Sequence, residues 1–223
     1  YVMALTLAGR GRTAEAIDEL SRALKMRPNY DDARRQLGQT LAQTGQIDQS
    51  VTEYRRAIAL RPGFWGNYSA LGNTLLQAGR YQEASAAFQK VIDLQPDNFF
   101  GYQQLGAVHH NLGDLDAALR FYGLALERRP NAQAYSNIGA IHHGRREYGQ
   151  AVDAYQQAIT LRPNSHITYR NLGDAYRQMG QSSAASDAYA KAIALVETEL
   201  KVNANDAGLK AFLALYLQKA GRG

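Results

Sequence analysis

Apolar and small residues recur at the spacing of amphipathic helices, most clearly between residues 99 and 130. One helical face at spacing i, i+3, i+4, i+7 carries Tyr102, Leu105, Gly106 and His109. A second helical face carries Ala118, Tyr122 and Ala125. Gly113 marks a turn between the two, and Pro130 stops the second helix. Because neither helix is long enough to be stable alone, the segment predicts a helical hairpin that needs packed neighbours.

The same hairpin pattern repeats along the chain. The prolines are spaced by 34, 34, 34 and 33 residues, at Pro28, Pro62, Pro96, Pro130 and Pro163. Turn glycines keep the same phase, at Gly11, Gly45, Gly79, Gly113 and Gly180. Self-similarity at a fixed period of this length is typical of a solenoid, in which each unit buries its apolar face against the next.

Small and bulky positions also follow the period. Glycines recur in the middle of each first helix, at Gly38, Gly72, Gly106, Gly139 and Gly173. Bulky residues recur beside them, at Leu37, Leu71, Leu105, Ile138 and Leu172 on the first helices and Tyr54, Phe88, Tyr122, Tyr155 and Tyr189 on the second. Since small side chains allow close helix packing, we interpret the bulky residues as the core between paired helices.

The order Tyr–x–x–Leu–Gly, then Ala–x–x–x–(Tyr/Phe)–x–x–Ala, then Pro resembles the tetratricopeptide repeat over nearly the whole chain. This resemblance implies an all-α fold, an α-solenoid of antiparallel helix pairs forming a right-handed superhelix. The first helix of each pair is expected to line a concave groove. It further implies a protein–protein interaction module that binds a peptide or helical segment of a partner protein and has no enzymatic activity of its own.

The period divides residues 1–223 into a single array of repeats. It predicts a partial repeat at 1–30, repeats at 31–64, 65–98, 99–131, 132–165 and 166–203, and a partial repeat at 204–223. Glu197 stands where the next proline is expected, and a seven-residue insertion lengthens the second helix there by two turns. The apolar last helix predicts either more chain beyond Gly223 or self-association through this end. Because Tyr1 is not an initiator methionine, we expect a fragment of a longer protein.

One turn departs from the pattern. Arg146 stands where the other repeats have their turn glycine, and Gly144 comes just before it. Because an ordinary side chain disfavours the left-handed backbone that such glycines adopt, we expect this turn to follow a different path.

The groove-facing positions that the resemblance implies are largely neutral and rich in amides. The candidate binding residues are Arg35, Gln36, Gln39, Ser69, Asn73, Phe100, Gln103, Gln104, His110, Ser136, Asn137, His143, Arg170, Asn171, Asp174 and Arg177. An Asn or Gln side chain offers both a donor and an acceptor to the backbone of an extended peptide. Two alternatives stay open: the amides are ordinary solvated surface, and Phe100 packs on the end of the preceding helix.

Some members of the family bind a partner's C-terminal carboxylate with a cluster of Lys, Arg and Asn. Here we expect no lysine in the groove, and among its arginines only Arg170 and Arg177 lie close together. We therefore do not expect that binding mode, although an acidic contact near these two arginines stays open.

Charge and composition narrow the function classes further. The net charge is +5, but paired arginines are spread along the chain, which indicates a solvated outer face and no nucleic-acid partner. The absence of cysteine excludes disulfides and thiolate chemistry, and no apolar run is long enough to insert in a membrane. We expect a cytoplasmic protein, with the periplasm as the alternative.

The paired histidines are the strongest candidates for chemistry. His109 and His142 occupy a core-edge position, whereas His110 and His143 are expected to face the groove. Two imidazoles are too few to hold zinc, so we predict no metal and no cofactor. No phosphate loop, nucleophile elbow or zinc-helix motif is present, so we predict no catalytic residues.

Two alternative functions remain open at this point. The array resembles the substrate-recognition region of larger enzymes, such as a glycosyltransferase or a bacterial kinase or cyclase. It also suits a scaffold that assembles with further copies of itself.

Overall fold

A computed structural model describes residues 2–221; Tyr1 and residues 222–223, the two ends of the predicted array, lie outside them. Within the described residues the chain forms thirteen α-helices and no strand. The helices are α1 Val2–Gly9, α2 Thr13–Met26, α3 Asp31–Gln43, α4 Ile47–Leu60, α5 Trp65–Gln77, α6 Tyr81–Leu94, α7 Phe99–Asn111, α8 Leu115–Arg128, α9 Ala132–Gly144, α10 Tyr148–Leu161, α11 His166–Gln178, α12 Ser182–Val202 and α13 Ala207–Lys219. The predicted all-α class is confirmed.

The helices pack as successive pairs in two compact units. The first unit runs up to Phe121 and the second begins at Tyr122, so the division falls within α8. In the first unit α3 packs on α4 and α5 on α6, and in the second α9 packs on α10 and α11 on α12. Within each unit the first helices of neighbouring pairs also touch, α3 with α5 and α9 with α11. The predicted solenoid of helix pairs is therefore confirmed.

The core forms where a glycine on a first helix meets an aromatic ring on the second. A Cβ atom placed on Gly72 would lie 2.7 Å from Cε1 of Phe88, and one on Gly173 would lie 2.7 Å from Cε1 of Tyr189. Both rings are almost completely buried. Glycine is required at these positions because a methyl group would push the two helices apart. Of the bulky residues predicted for the core, Ile138 alone is only partly buried.

The expectation that the turn at Arg146 follows a different backbone path is wrong. Arg146 has φ of 63°, in the same left-handed region as Gly113 at 80° and Gly180 at 74°. The amide of Glu147 donates to the carbonyl of His142 over 2.9 Å, as the amide of Asp114 does to its own repeat's first helix. The hydrogen bonds that close the helix thus fix the turn, whichever residue occupies it.

The C-terminal helices extend the second unit. Helix α12 has 21 residues, whereas α10 has 14. Helix α13 packs on it through Tyr216, which is fully buried beside Ile193 and Val196 of α12. On α13 the side chains of Phe212 and Leu215 stay 37% and 40% exposed. None of the helices between residues 2 and 221 has the length and apolar character that a bilayer crossing requires.

Candidate functional site

A cavity of about 480 Å³ opens in the first unit between the first helices α3 and α5. Both helices point residues three or four positions apart toward it, which is one helical face each. The cavity is lined by Arg35, Gln39, Ala42, Gln43, Tyr54, Trp65, Gly66, Ser69, Ala70, Asn73, Thr74 and Gln77. Four of the predicted binding residues, Arg35, Gln39, Ser69 and Asn73, are therefore brought together. The guanidinium of Arg35 is charged, and the other side chains of the lining are neutral.

Arg35 is held at the edge of this cavity by two contacts. Its Nη2 donates to Oδ1 of Asp32 over 3.0 Å, and its guanidinium lies 5.9 Å from the ring centre of Phe64. Its buried Nε has no hydrogen-bond partner among the described residues. Tyr54 lies against the cavity from α4, and burial raises the pKa of its phenol, which stays protonated.

Amides link the neighbouring first helices of the first unit. Nε2 of Gln104 on α7 donates to Oδ1 of Asn73 on α5 over 2.6 Å. This bond orients the Asn73 side chain at the wall of the cavity. Gln36 and Gln103 are partly buried but do not line the cavity.

Aromatic contacts account for the other predicted residues of this unit. The ring of Phe100 packs edge-on against Phe88 of the preceding helix, with centroids 6.3 Å apart. His109 stacks on Phe121 at 5.1 Å and is partly buried, as its core-edge position predicts. His110 is exposed on the last turn of α7. Phe100 thus packs on the middle of the preceding helix, whereas the alternative from the sequence placed it on the end of that helix.

A smaller cavity of about 160 Å³ lies in the second unit between α9 and α11. It is lined by Ala140, His143, Tyr155, Arg170, Asn171 and Asp174. Four of these, His143, Arg170, Asn171 and Asp174, are predicted binding residues. Within the described chain, the buried Nε2 of His143 and Nε of Arg170 have no hydrogen-bond partner. The ring of His143 packs on Tyr148 with centroids 5.4 Å apart.

The carboxylate of Asp174 is the most heavily bonded group of this cavity. It accepts hydrogen bonds from four donors, Tyr189 Oη at 2.7 Å, Lys219 Nζ at 2.7 Å, Arg170 Nη1 at 3.2 Å and Arg177 Nη2 at 3.5 Å. Burial alone would raise the pKa of Asp174, but the bonds from Lys219 and Tyr189 outweigh it and lower the pKa, so the carboxylate is ionised.

Lys219, which was not among the predicted binding residues, lies beside this cavity through its bond to Asp174. It reaches Asp174 from α13, 45 residues further along the chain. The sequence held a usable signal, because Lys219 follows Gln178 by 41 residues, the same spacing that separates Gly221 from Gly180. Lys219 therefore stands at the position of Gln43 and Gln77, displaced by the insertion in α12.

Two other predicted residues of the second unit have different environments. Asn137 is already engaged, because its Nδ2 donates to Oη of Tyr122 over 3.0 Å and its Oδ1 accepts from Gln133 over 3.0 Å. Ser136 is partly buried and does not line the cavity. Nδ1 of His142 lies 2.6 Å from Oε2 of Glu147. No three His, Asp or Glu side chains come together as metal ligands between residues 2 and 221.

Comparisons with solved structures give the same fold. A structure of MamA matches 77% of this chain and 94% of its own at 22% identity, with a TM-score of 0.65. TTC0263, a thermophilic TPR protein of Thermus thermophilus, matches 84% of this chain and 99% of its own at 23% identity, also with a TM-score of 0.65. The APC/C hetero-tetramer Cut9–Hcn1 matches 96% of this chain but 42% of its own at 21% identity, with a TM-score of 0.70.

Comparisons of the sequence identify the repeat directly. A search of curated proteins found no match. Four models of the tetratricopeptide repeat match residues 7–73, 72–113, 101–131 and 131–198, so that together they follow the chain from residue 7 to residue 198. All four describe the repeat itself. The chain belongs to the tetratricopeptide repeat family.

Proposed function

We propose that this chain is a protein-interaction module that binds a peptide or helical segment of a partner protein on the first-helix faces of each unit. Membership of the tetratricopeptide repeat family supports a protein partner. The observation that carries the proposal is the cavity between α3 and α5, where four of the candidate groove residues line one space of about 480 Å³. A space of this size accepts several side chains of a bound segment.

The lining of that cavity suits a polypeptide backbone. Gln39, Asn73 and Gln77 carry amides that both donate and accept hydrogen bonds, as peptide groups do. Trp65 supplies an aromatic surface beside them, a residue type enriched where partners anchor. The guanidinium of Arg35 adds a positive charge to the lining. In the second unit, Asn171 and His143 offer the corresponding polar groups.

Selection from a library of random peptides displayed on phage tests the proposal without knowledge of the natural partner. Peptides that the wild-type protein enriches are synthesised, and their affinities are measured by fluorescence anisotropy. Ala70→Arg and Gln39→Arg each place a long side chain in the cavity, so we expect a loss of about tenfold in affinity, or roughly 1.4 kcal/mol.

The matched control is Ala59→Arg, which adds the same side chain to an exposed position of α4 outside the cavity. Gln39 is itself exposed, so Gln39→Arg separates a blocked cavity from a damaged fold. Equal losses in Ala59→Arg and the cavity variants, or a library from which nothing is enriched, would overturn the proposal.

The two alternatives, recognition of a substrate for a larger enzyme and assembly with further copies of the chain, stay predictions. Co-purification of an enzyme activity with this chain bears on the first. Light scattering over a range of protein concentrations bears on the second.

A further inference from the structure

Positive charge is in excess around Asp174. Among the described residues, the ion pairs of Arg170, Arg177 and Lys219 are all with this one carboxylate. The carboxylate of Glu199 is also close enough to act on the neighbouring His166 and Tyr216, so three cations and two anions leave one positive charge in excess at this place. The side chain of Arg177 is 48% exposed, makes the longest of the three contacts, at 3.5 Å, and lies 6.0 Å from the ring centre of Tyr189.

The cavity between α9 and α11 opens beside this excess charge. Arg170 and Asp174 belong to both, since each lines the cavity. The buried Nε of Arg170 and Nε2 of His143 are nitrogen atoms without a partner in the described chain, and Asn171 adds an amide. The excess positive charge beside the cavity favours an acceptor that carries negative charge. The cavity of about 160 Å³ is large enough for one side-chain carboxylate.

Exposed apolar side chains border the same place. Phe212 and Leu215 on α13 share a helical face with Lys219, at spacing i, i+3, i+7. The ring of Phe212 lies 5.1 Å from His166, the first residue of α11. The next residue, Ile167, is 43% exposed and lies one turn before Arg170. Apolar and cationic groups of two helices therefore adjoin each other.

We propose that this surface, formed by α11 and α13 and called the α11–α13 surface, binds an acidic amphipathic segment of a partner protein. Carboxylates of the segment pair with Arg177 and enter the cavity at Arg170, and its apolar side chains pack on Ile167, Phe212 and Leu215. The proposal rests on the proposed function, because its occupant is a protein segment. Charge complementarity decides between occupants, because the net positive charge of this surface would repel a basic segment.

The interacting carboxylates are those of side chains inside the segment. The apolar residues and the cationic residues of the surface both lie along helices. A segment whose acidic and apolar residues are three or four positions apart can therefore contact both groups. A free C-terminal carboxylate is not needed for these contacts.

The experiment uses Gln39→Arg as the bait, because that variant blocks the cavity of the first unit and leaves the second unit intact. The probe is a library of random peptides whose C-termini are joined to the phage coat protein, so no peptide has a free C-terminus. We expect the enriched pool to gain Asp and Glu together with Leu, Ile and Phe relative to the starting library. Synthetic copies with amidated C-termini are then measured by fluorescence anisotropy at low and high salt.

The variants that test the surface are Arg177→Gln and Leu215→Gln, both at exposed positions. Each is expected to weaken binding of the amidated peptides by about tenfold, and high salt should reduce the effect of Arg177→Gln. The controls are Lys191→Gln and Leu161→Gln, which remove the same charge or the same kind of side chain from exposed positions outside the surface.

The proposal is overturned if the pool shows no excess of acidic residues, if the controls weaken binding as much as the test variants, or if only peptides with a free C-terminus bind. Enrichment on the wild type but none on the Gln39→Arg bait would overturn it and leave the proposed function standing. No enrichment on either bait would overturn both. Arg177-dependent binding of a fluorescent oligonucleotide, with no peptide enriched, would assign the surface to nucleic acid instead.

Discussion

Replacing Arg146 by glycine is expected to stabilise the second unit. Arg146 has φ of 63°, a conformation that costs a residue with a Cβ atom roughly 1–2 kcal/mol. Its backbone amide donates to the carbonyl of His143 over 3.0 Å, and glycine keeps that bond. The Arg146 residue is exposed, so little packing is lost. Glycine also gives the unfolded chain more conformational freedom, which stabilises the unfolded state by about 0.4–1 kcal/mol and offsets part of the relief of strain. The net stabilisation should be about 0.5–1 kcal/mol.

Urea denaturation followed by far-ultraviolet circular dichroism measures this change, as a higher midpoint at an unchanged slope. Arg146→Ala is the decisive control, because it removes the arginine but keeps the Cβ atom in the left-handed conformation. The reverse exchange, Gly180→Arg, should destabilise by a similar amount, since a Cβ there meets no neighbour within 4 Å and only the backbone is strained. If Arg146→Ala stabilises as much as Arg146→Gly, the reasoning is refuted and the gain comes from the lost charge.

Two further predictions concern buried rings. In urea denaturation, Gly173→Ala should lower the free energy of unfolding by about 1–2 kcal/mol more than Gly38→Ala does. The reason is that the added Cβ would lie 2.7 Å from Tyr189 at position 173 but 3.0 Å from Tyr54 at position 38. Equal effects of the two variants would contradict this prediction. Burial raises the pKa of Tyr155 to about 12, so the folded chain keeps a proton that the unfolded chain loses above about pH 10. The free energy of unfolding should therefore be unaffected by these groups below about pH 10 and fall toward pH 12. Because burial also raises the pKa of Tyr122 to about 12, Tyr155→Phe should remove only part of that fall.

The helix pairs were predictable because their packing depends on spacing alone. The contact between Gly173 and Tyr189 follows from a small and a bulky residue recurring in phase. The turn at Arg146 was not predictable in the same way. Intrinsic backbone preference argues against the left-handed conformation, but the hydrogen bond between Glu147 and His142 and the packing of α9 on α10 impose it. The packing of the two flanking helices therefore outweighs a backbone preference of about 1–2 kcal/mol against positive φ at Arg146.

The position of Lys219 could have been predicted, but only by allowing for the insertion that lengthens the last full repeat. Its spacing of 41 residues from Gln178 becomes visible once the insertion in α12 is counted as whole helical turns. The partner it would find was not visible. Asp174 accepts from Lys219 because α13 packs on α12 and brings its last turn to α11, which is a matter of tertiary packing.

The candidate site shows where a repeat pattern stops being informative. Gln104, Asn137 and Asn171 occupy the same position of three successive repeats. Gln104 bonds to Asn73, Asn137 bonds to the hydroxyl of Tyr122, and Asn171 lines a cavity. The residue type is nearly constant, but each neighbouring helix offers a different partner. An amide remains available to a ligand only where the neighbouring helix offers it no partner. The candidate binding residues therefore depend on the differences between repeats, which the period itself does not contain.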